Sequence, residues 1–310
     1  VYKRQQRPLL IPTTATRCQS QLKVSAHPHR LSATLYPCLF QGASLTEEIF
    51  GMTTLKLTGS VGTGKSTKNL PHNSPADVIA VRDRFVDLGF DWLQDKTKCD
   101  TEFTNAVKLF QSICKGNVKV TGGDGRIDLH GSTHRWLAAT NAPGWVDMTR
   151  KKGLGWECVQ VEHNNSFATT WMEERLGRAG MQYHLMSLAP RTAPMWVRDF
   201  SKRKGGQTNG HGTHQTGLNV DMRLPIKGKL TYNHSHALSK GENDREYDTL
   251  FDVDAARSQL KAINAQMNVR NILFNDKSLI KERLCIQYAN HGGHYHVTIL
   301  PPARIDGVYR

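Results

Sequence analysis

Histidines are concentrated in two short segments that lie far apart in the sequence, at residues 211–221 and 291–296. Imidazole and carboxylate groups suit a zinc ion, and a catalytic zinc takes three protein ligands and keeps one position for water. His214, Asp221 and His296 would supply such a set. The remaining histidines of the two segments would line the site as acids, bases or charge stabilisers: His211, His291 and His294.

Apolar and polar residues alternate over residues 218–223 and again over 294–299, as in strands with one buried face. Side chains of a strand point alternately to its two faces, so two neighbouring strands would present Asp221 and His296 on a common face. His214 would reach the site from the loop before the first strand. The alternative is a set of solvated loop histidines, because a lone His-x-x-His is a weak signal.

The order His214-x6-Asp221 followed by His294-x-His296 resembles the signature of the zinc peptidases that include lysostaphin-type endopeptidases and D-Ala-D-Ala carboxypeptidases. A closer resemblance is to the penicillin-insensitive murein endopeptidases, which share His-x-x-His-x6-Asp and a late His-x-x-His-x-His. The run at residues 272–276 also resembles that family. The resemblance covers roughly residues 166–302 and implies an α+β zinc peptidase.

The resemblance also implies roles for individual residues. His214, Asp221 and His296 would be the zinc ligands, and His294 would be the catalytic base or would stabilise the transition state. The two other histidines would line the site: His211 and His291.

Four further positions bear on the resemblance. Acidic residues between the two segments can take part in metal binding in this family, and Asp252 and Asp254 are the candidates here. Arg198 and Asn219 are not the residues that the family pattern leads us to expect at their positions. The geometry around the metal ligands therefore has to come from the structure.

Composition limits the functional classes only in part. The 310 residues suffice for two modest domains, and 41 Lys+Arg against 27 Asp+Glu give a net charge of +14. Such a surface favours polyanions, whether nucleic acid, anionic lipid or acidic wall polymers. No apolar run is long enough for a membrane span. The six cysteines lack a Cys-x-x-Cys pair, so we expect reduced thiols without a disulfide framework or a cysteine metal site.

Residues 1–51 show no periodic pattern and contain no methionine, whereas orderly patterning starts just after Met52. Three interpretations compete: translated non-coding sequence, a disordered basic tail, and a targeting peptide. The segment lacks the apolar stretch of a secretion signal. A chain that starts at Met52 would have no signal peptide.

A P-loop pattern occurs at residues 59–66, ending in Gly64-Lys65-Ser66. The motif works only when a helix starts at the lysine and aims its amides at phosphate. Pro71 follows too soon, because proline lacks an amide hydrogen and breaks the first turns of a helix. We therefore expect a Gly-rich turn before a helix and no nucleotide binding.

Three helices are expected between residues 77 and 142. The first is capped by Asp77 and ends at Gly89, and the second runs from about Thr101 to Gly116. A tight turn and a third short helix follow. Residues 57–142 resemble a peptidoglycan-binding-like domain through a set of short matches in the same order: Pro75-Ala-Asp77-Val78, Ala106-Val107, Phe110-Gln111 and Asp124-Gly125.

The predicted fold class is therefore α+β, with a small helical domain followed by a peptidase domain around a central antiparallel sheet. The predicted organisation is an extension (1–51), a peptidoglycan-binding-like domain (52–142), a linker (143–165) and a zinc peptidase domain (166–310). Helices are expected near 167–179, 254–267 and 277–288, a strand at 269–274, and a surface loop over 227–246. Three tryptophans fit either a groove or the core: Trp145, Trp156 and Trp171.

Together these features predict a zinc-dependent peptidase that cleaves amide bonds in peptidoglycan stems or cross-links. A wall-binding module without a signal peptide favours a phage endolysin, held in the host cytoplasm until its release to the periplasm or wall. A bacterial enzyme would be periplasmic. The expected partner is peptidoglycan, with no nucleic acid and no nucleotide. The main alternative is a non-catalytic wall- or zinc-binding protein with the same fold, and a P-loop ATPase is a distant third.

Overall fold

The described chain is a mixture of strands and helices, as predicted. The computed structural model describes residues 55–64, 71–94, 97–186, 193–208, 210, 212–233 and 244–306, and contacts group residues 52–310 into one compact unit. The described strands are β1 (Val61–Gly62), β2 (Arg126–Ile127), β3 (Trp145–Asp147), β4 (Lys152–Gly153), β5 (Trp156–Cys158), β6 (Phe167–Thr169), β7 (Met195–Arg198), β8 (Asn219–Arg223), β9 (Val269–Leu273) and β10 (His294–Ile299). The described α-helices are α1 (Pro75–Asp87), α2 (Thr101–Cys114), α3 (Ser132–Ala138), α4 (Thr170–Met186), α5 (Asp244–Leu250), α6 (Val253–Gln266) and α7 (Lys277–Lys281).

A six-stranded sheet carries both histidine segments, in the order β4-β5-β7-β8-β10-β9. All neighbours are antiparallel except β5 and β7, which run parallel. The predicted central sheet is therefore confirmed, with one parallel pair added. Strands β1 and β2, and strands β3 and β6, form two small separate sheets.

One face of the large sheet is apolar and belongs to the core. Val220, Tyr295 and Val297 are fully buried there, in one cluster with Leu176 of α4 and Leu260 of α6. The alternate residues of β8 and β10 point to the opposite, polar face. The predicted alternation over 218–223 and 294–299 thus fixes which side chains face the core and which face the site.

The start of α1 differs from the prediction that Asp77 caps it. Ser74 is the N-cap, and its hydroxyl accepts a hydrogen bond from the Asp77 amide at 3.1 Å. Pro75 occupies the first turn, where a missing amide hydrogen is harmless. The Asp77 carboxylate instead accepts from the amides of Thr58 and Gly59, at 2.9 and 3.0 Å. It therefore ties the segment before the helix to the helix start.

Helices α1–α3 share one hydrophobic core with the sheet-bearing region. The rings of Phe90 and Trp145 lie 5.9 Å apart, and the Trp145 amide donates to Leu88 at 2.6 Å. Gly89 sits at φ +87°, and a Cβ there would lie 2.1 Å from the Trp145 carbonyl oxygen. The close approach of the two segments therefore requires glycine. That residues 52–142 form a domain of their own stays a prediction.

Residues 143–165, which the sequence predicted as a linker, contain β3, β4 and β5. The last two form one edge of the large sheet. They span only two and three residues, too short for a periodic pattern to be visible in the sequence. The three tryptophans left open between groove and core are each only 4% exposed and belong to the core: Trp145, Trp156 and Trp171.

Several other predictions can be compared with the structure. Helix α7 ends at Lys281 rather than near residue 288, and α5 begins at Asp244, before the predicted surface loop ends at residue 246. Lys65 and Ser66 of the P-loop pattern lie outside the described residues, as do residues 1–51. None of the described helices is long and apolar enough to cross a membrane. The four described cysteines are free thiols: Cys99, Cys114, Cys158 and Cys285.

Candidate metal centre

Three buried side chains converge at one point of the polar sheet face. Asp221 in β8 stands directly opposite His296 in β10, with 2.9 Å between Asp221 Oδ1 and His296 Nδ1. His214 enters from the preceding loop. Its Nε2 lies 3.2 Å from Asp221 Oδ1 and 3.1 Å from His296 Nδ1. Among the described His, Cys, Asp and Glu residues, only these three bring one ligand atom each within 4.8 Å of the others. We call them the metal triad.

The loop that carries His214 is held by the residues that follow it. Gly217, at φ +67°, turns the chain into β8, and a Cβ there would lie 2.8 Å from the Thr169 amide nitrogen. Directly after His214, the Gln215 amide donates to the Val118 carbonyl at 3.3 Å, and Gln215 Oε1 accepts from the Val120 amide at 3.1 Å. The segment after α2 therefore helps to hold a metal-triad residue in place.

Groups behind the metal triad orient its imidazoles. The backbone of Asp199, which adopts the left-handed conformation at φ +48°, helps to raise the pKa of the His214 imidazole. Few non-glycine residues adopt this conformation, and those that do cluster at functional sites. Asn219 Nδ2 lies 2.8 Å from His296 Nε2 and 3.0 Å from Thr298 Oγ1. Metal-binding histidines generally use their second ring nitrogen for such a contact.

The charges of the metal triad suit a cation. Burial alone would raise the pKa of Asp221, but the charge of His214 and the hydrogen bonds from His214 and His296 lower it far below its usual range. Burial alone would lower the pKa of His214, but the charge and hydrogen bond of Asp221 raise it. The carboxylate is therefore anionic at neutral pH. A buried anion between two imidazole nitrogens is a donor set that fits a divalent metal.

His294 lies at the edge of the metal triad, on the same face of β10 as His296. Its Nε2 is 3.8 Å from Asp221 Oδ2, and its side chain is 26% exposed. Burial lowers the pKa of His294 to about 4, and nearby positive charges, including that of Arg223, act in the same direction. His294 is therefore neutral at pH 7 and able to accept a proton.

His291 lies beside His294, with 5.0 Å between the two ring centroids. Its Nδ1 contacts the Ala289 carbonyl at 2.7 Å, and partial burial lowers its pKa. The structure therefore brings five of the six predicted site histidines and acids together. The sixth, His211, lies outside the described residues.

The acidic candidates between the two histidine segments have other contacts. Asp252 is the N-cap of α6 and accepts from the Ala255 amide at 3.0 Å. Asp254 forms an ion pair with Arg257 at 2.5 Å. Neither belongs to the metal triad. Both begin a helix, where acidic residues serve as caps and balance the helix dipole.

Two cavities flank the metal triad. The larger, of about 680 Å³, is lined by the triad, by Arg270 and Asn271 of β9, and by Val118 and Lys119 after α2. The smaller, of about 210 Å³, is lined by five residues: Arg198, Asp199, Asp221, Arg223 and His294. Asp221 and His294 line both cavities, so the metal triad lies where the two cavities meet. We call the two cavities together the cleft.

Two parts of this cleft were not predicted from the sequence. Val118 and Lys119 come from the helical segment, far from either histidine segment in the chain. Asn219 was noted only as a departure from the family pattern. Asn219 lies two residues before Asp221, on the same face of a predicted strand, and this spacing is the signal from which its place beside the ligands could have been predicted.

Comparison with known proteins agrees with this geometry. A family model described as penicillin-insensitive murein endopeptidase matches residues 144–303, slightly more than half of the 310 residues. The matched range contains the whole metal triad as well as His291 and His294. It begins earlier than the predicted boundary at residue 166, because β3, β4 and β5 belong to it. No curated protein matches the chain.

Proposed function

This chain belongs to the penicillin-insensitive murein endopeptidase family, and on that premise we propose that it is a zinc-dependent peptidase that cleaves amide bonds in peptidoglycan stems or cross-links. The observation that carries the proposal is the metal triad itself. Two histidines and an aspartate, each at most 5% exposed, meet at the wall of a cavity of about 680 Å³. A peptidase active on murein is the activity that membership of the family supports.

The donor set favours zinc over other divalent ions. Magnesium and calcium prefer sites made entirely of oxygen ligands, whereas two imidazoles and a carboxylate are a common zinc set. His214, Asp221 and His296 would hold the ion. Three protein ligands leave a position for water or substrate, and all three residues line the larger cavity. The cleft therefore gives substrate access to that position.

The chemistry divides between the ion and the chain. When bound, zinc acts as a Lewis acid toward the scissile carbonyl and increases the acidity of a neighbouring water. His294, neutral at pH 7 and 3.8 Å from Asp221, accepts the proton of the water as its oxygen attacks the carbonyl carbon. His294 then returns the proton to the departing nitrogen. The C–N bond breaks, and the products are a carboxylic acid and an amine.

His291 and the cleft walls assist this reaction. The His291 ring lies 5.0 Å from that of His294 and 5.5 Å from that of His296, within reach of charge that develops on the carbonyl oxygen. Gly292 and Gly293 carry no side chains, so an extended peptide can approach closely. His211 is proposed to line the same site.

We also propose a role for the helical segment in wall binding. Its support is the resemblance of residues 57–142 to peptidoglycan-binding domains and the position of Val118 and Lys119 in the cleft wall. The net charge of +14 favours acidic wall polymers. A peptidase combined with such a segment suits an endolysin that acts on the wall from the periplasm. Peptidoglycan is the proposed partner, with no role for nucleotide or nucleic acid.

One experiment tests the proposed activity. Purified sacculi are digested with the protein as purified, after chelation, and after chelation followed by added zinc. Mass spectrometry of the released fragments identifies the bond. We expect new amino groups and shortened cross-links, their loss on chelation, and their return with zinc. Binding to sacculi without any released fragment would instead support the non-catalytic alternative.

A further inference from the structure

The smaller cavity beside the metal triad holds two arginines that differ in their contacts. Arg198 donates to both carboxylate oxygens of Asp199, at 2.5 and 3.2 Å. The side chain of Arg223 makes no hydrogen bond or ion pair with any described residue, and its Nε atom is buried without a partner. Leaving a buried donor unsatisfied costs free energy, so a ligand that accepts from it is favoured.

The position of Arg223 relates it directly to the reaction. Arg223 follows Asp221 by two residues in β8, so both side chains point to the polar face. In the strand register it stands opposite His294, the proposed proton acceptor. Its positive charge is one of the causes that lower the pKa of His294. Arg223 therefore lines the same cavity as Asp221 and His294, beside the place where the bond would be cut.

The charge of the cavity indicates what would bind there. Asp199 is neutralised by Arg198, and Asp221 is a proposed metal ligand, which leaves Arg223 as the uncompensated charge among the lining residues. The flat guanidinium fork matches a carboxylate in a two-point contact. Murein stem peptides carry free carboxylates, and a cavity of about 210 Å³ accommodates such a group together with the chain that bears it.

We propose that Arg223 is a specificity-determining residue that binds a free carboxylate of the stem peptide next to the scissile bond. The inference rests on the proposed function, because it names a feature of the substrate of the same site. On this proposal, Arg223 neither serves only to stabilise the fold nor acts only by stabilising the charge that develops on the reacting carbonyl.

The test uses two soluble cross-linked stem peptides that differ at one group, a free carboxylate or the corresponding carboxamide beside the scissile bond. We expect the unaltered protein to prefer the carboxylate peptide in kcat/KM. Arg223→Met is expected to lose roughly 10- to 100-fold on that peptide, mainly through KM, and to change little on the carboxamide. Arg223→Lys should fall between the two, because it keeps the charge without the fork.

Arg178→Met is the matched control, because Arg178 is exposed on α4 and pairs only with Glu174 among the described residues. It should leave the preference unchanged. Equal losses on both peptides for Arg223→Met, or no preference in the unaltered protein, would overturn the inference.

A binding measurement separates this inference from the proposed function. Titration calorimetry with both peptides reports the preference whether or not they are cut. A carboxylate preference that Arg223→Met abolishes, in a protein that never cuts, supports the inference and refutes the peptidase. Cleavage with equal binding of both peptides does the opposite.

Discussion

Asn219 offers the sharpest test of how the metal triad is built. Its amide lies 1% exposed between His296 Nε2 and Thr298 Oγ1. If His296 binds zinc through Nδ1, the ring proton must sit on Nε2. The amide, turned so that Oδ1 faces the ring, then accepts a hydrogen bond from that N–H, and the two orientations of an amide have the same shape. Asn219→Ala removes the acceptor, so the His296 imidazole loses the hydrogen bond that orients it.

The expected magnitude follows from this geometry. Loss of a group that orients a metal-binding histidine costs roughly 10- to 100-fold in metal affinity. The buried Nε2–H, left without a partner, costs about 1–3 kcal/mol of folding free energy as well. Asn219→Asp keeps an acceptor in place, and a carboxylate accepts more strongly than an amide. It should therefore bind zinc at least as tightly as the unaltered chain.

The assay is competition for zinc against a chromophoric chelator, combined with thermal unfolding of the metal-free protein. Asn264→Ala is the control, because the Asn264 side chain also makes two hydrogen bonds, to backbone carbonyls at 2.9 and 3.0 Å, but on α6, away from the metal triad. We expect it to lose stability without a change in zinc affinity. Unchanged zinc affinity in Asn219→Ala would refute the orienting role, and so would an Asn219→Asp variant that binds more weakly than Asn219→Ala.

Three further predictions follow from the same structure. Each of the three ligand variants should lose its zinc, measured by elemental analysis, and all activity: His214→Ala, Asp221→Ala and His296→Ala. His294→Ala should keep its zinc and lose roughly 10²–10⁴-fold in rate. Full zinc content and turnover in all three ligand variants would disprove the site. A chain that begins at residue 144 should melt well below one that begins at Met52, since it exposes Trp145 and lacks Val118 and Lys119 of the cleft wall; equal melting temperatures would contradict the shared core. Asp77→Asn should destabilise the protein by about 1–3 kcal/mol at pH 7. Burial alone would raise the pKa of Asp77, but hydrogen bonds that include those from Thr58 and Gly59 outweigh it and lower the pKa. The carboxylate therefore stabilises the fold at pH values above the usual aspartate pKa, and this stabilisation is lost as pH falls through the lowered pKa, so denaturation curves of variant and unaltered protein should converge below about pH 4. A difference in stability that persists in acid would exclude this linkage.

The sequence was sufficient to predict the part of the site that depends on strand periodicity. Alternation placed Asp221 and His296 on one face, and the structure pairs them directly. It was not sufficient for parts that depend on contacts between distant segments. No sequence pattern around Lys119 indicates that it lines the same cavity as His294. Its position there depends on the packing of α2 and on the hydrogen bonds of Gln215.

Short elements were the other limit. Strands β4 and β5 have no room for a period, so their residues resembled an irregular connection. The Ser74 cap was missed because Asp77 is also a good capping residue, and only the position of Pro75 in the first turn distinguishes them. Arg223 was visible as the polar partner in an alternating strand, but its lack of a counter-charge required the three-dimensional neighbours.

The pairing of Asp221 with His296 also has a consequence for how the protein matures. A slip of one residue between β8 and β10 would turn Asp221 into the apolar core and bring Val220 or Met222 to the cleft. Only the native register assembles the three donors, so zinc would bind the correctly paired sheet and none of its misaligned competitors. By mass action the ion would then draw the chain toward that register. The ion proposed for hydrolysis would thus also select the correctly folded molecules.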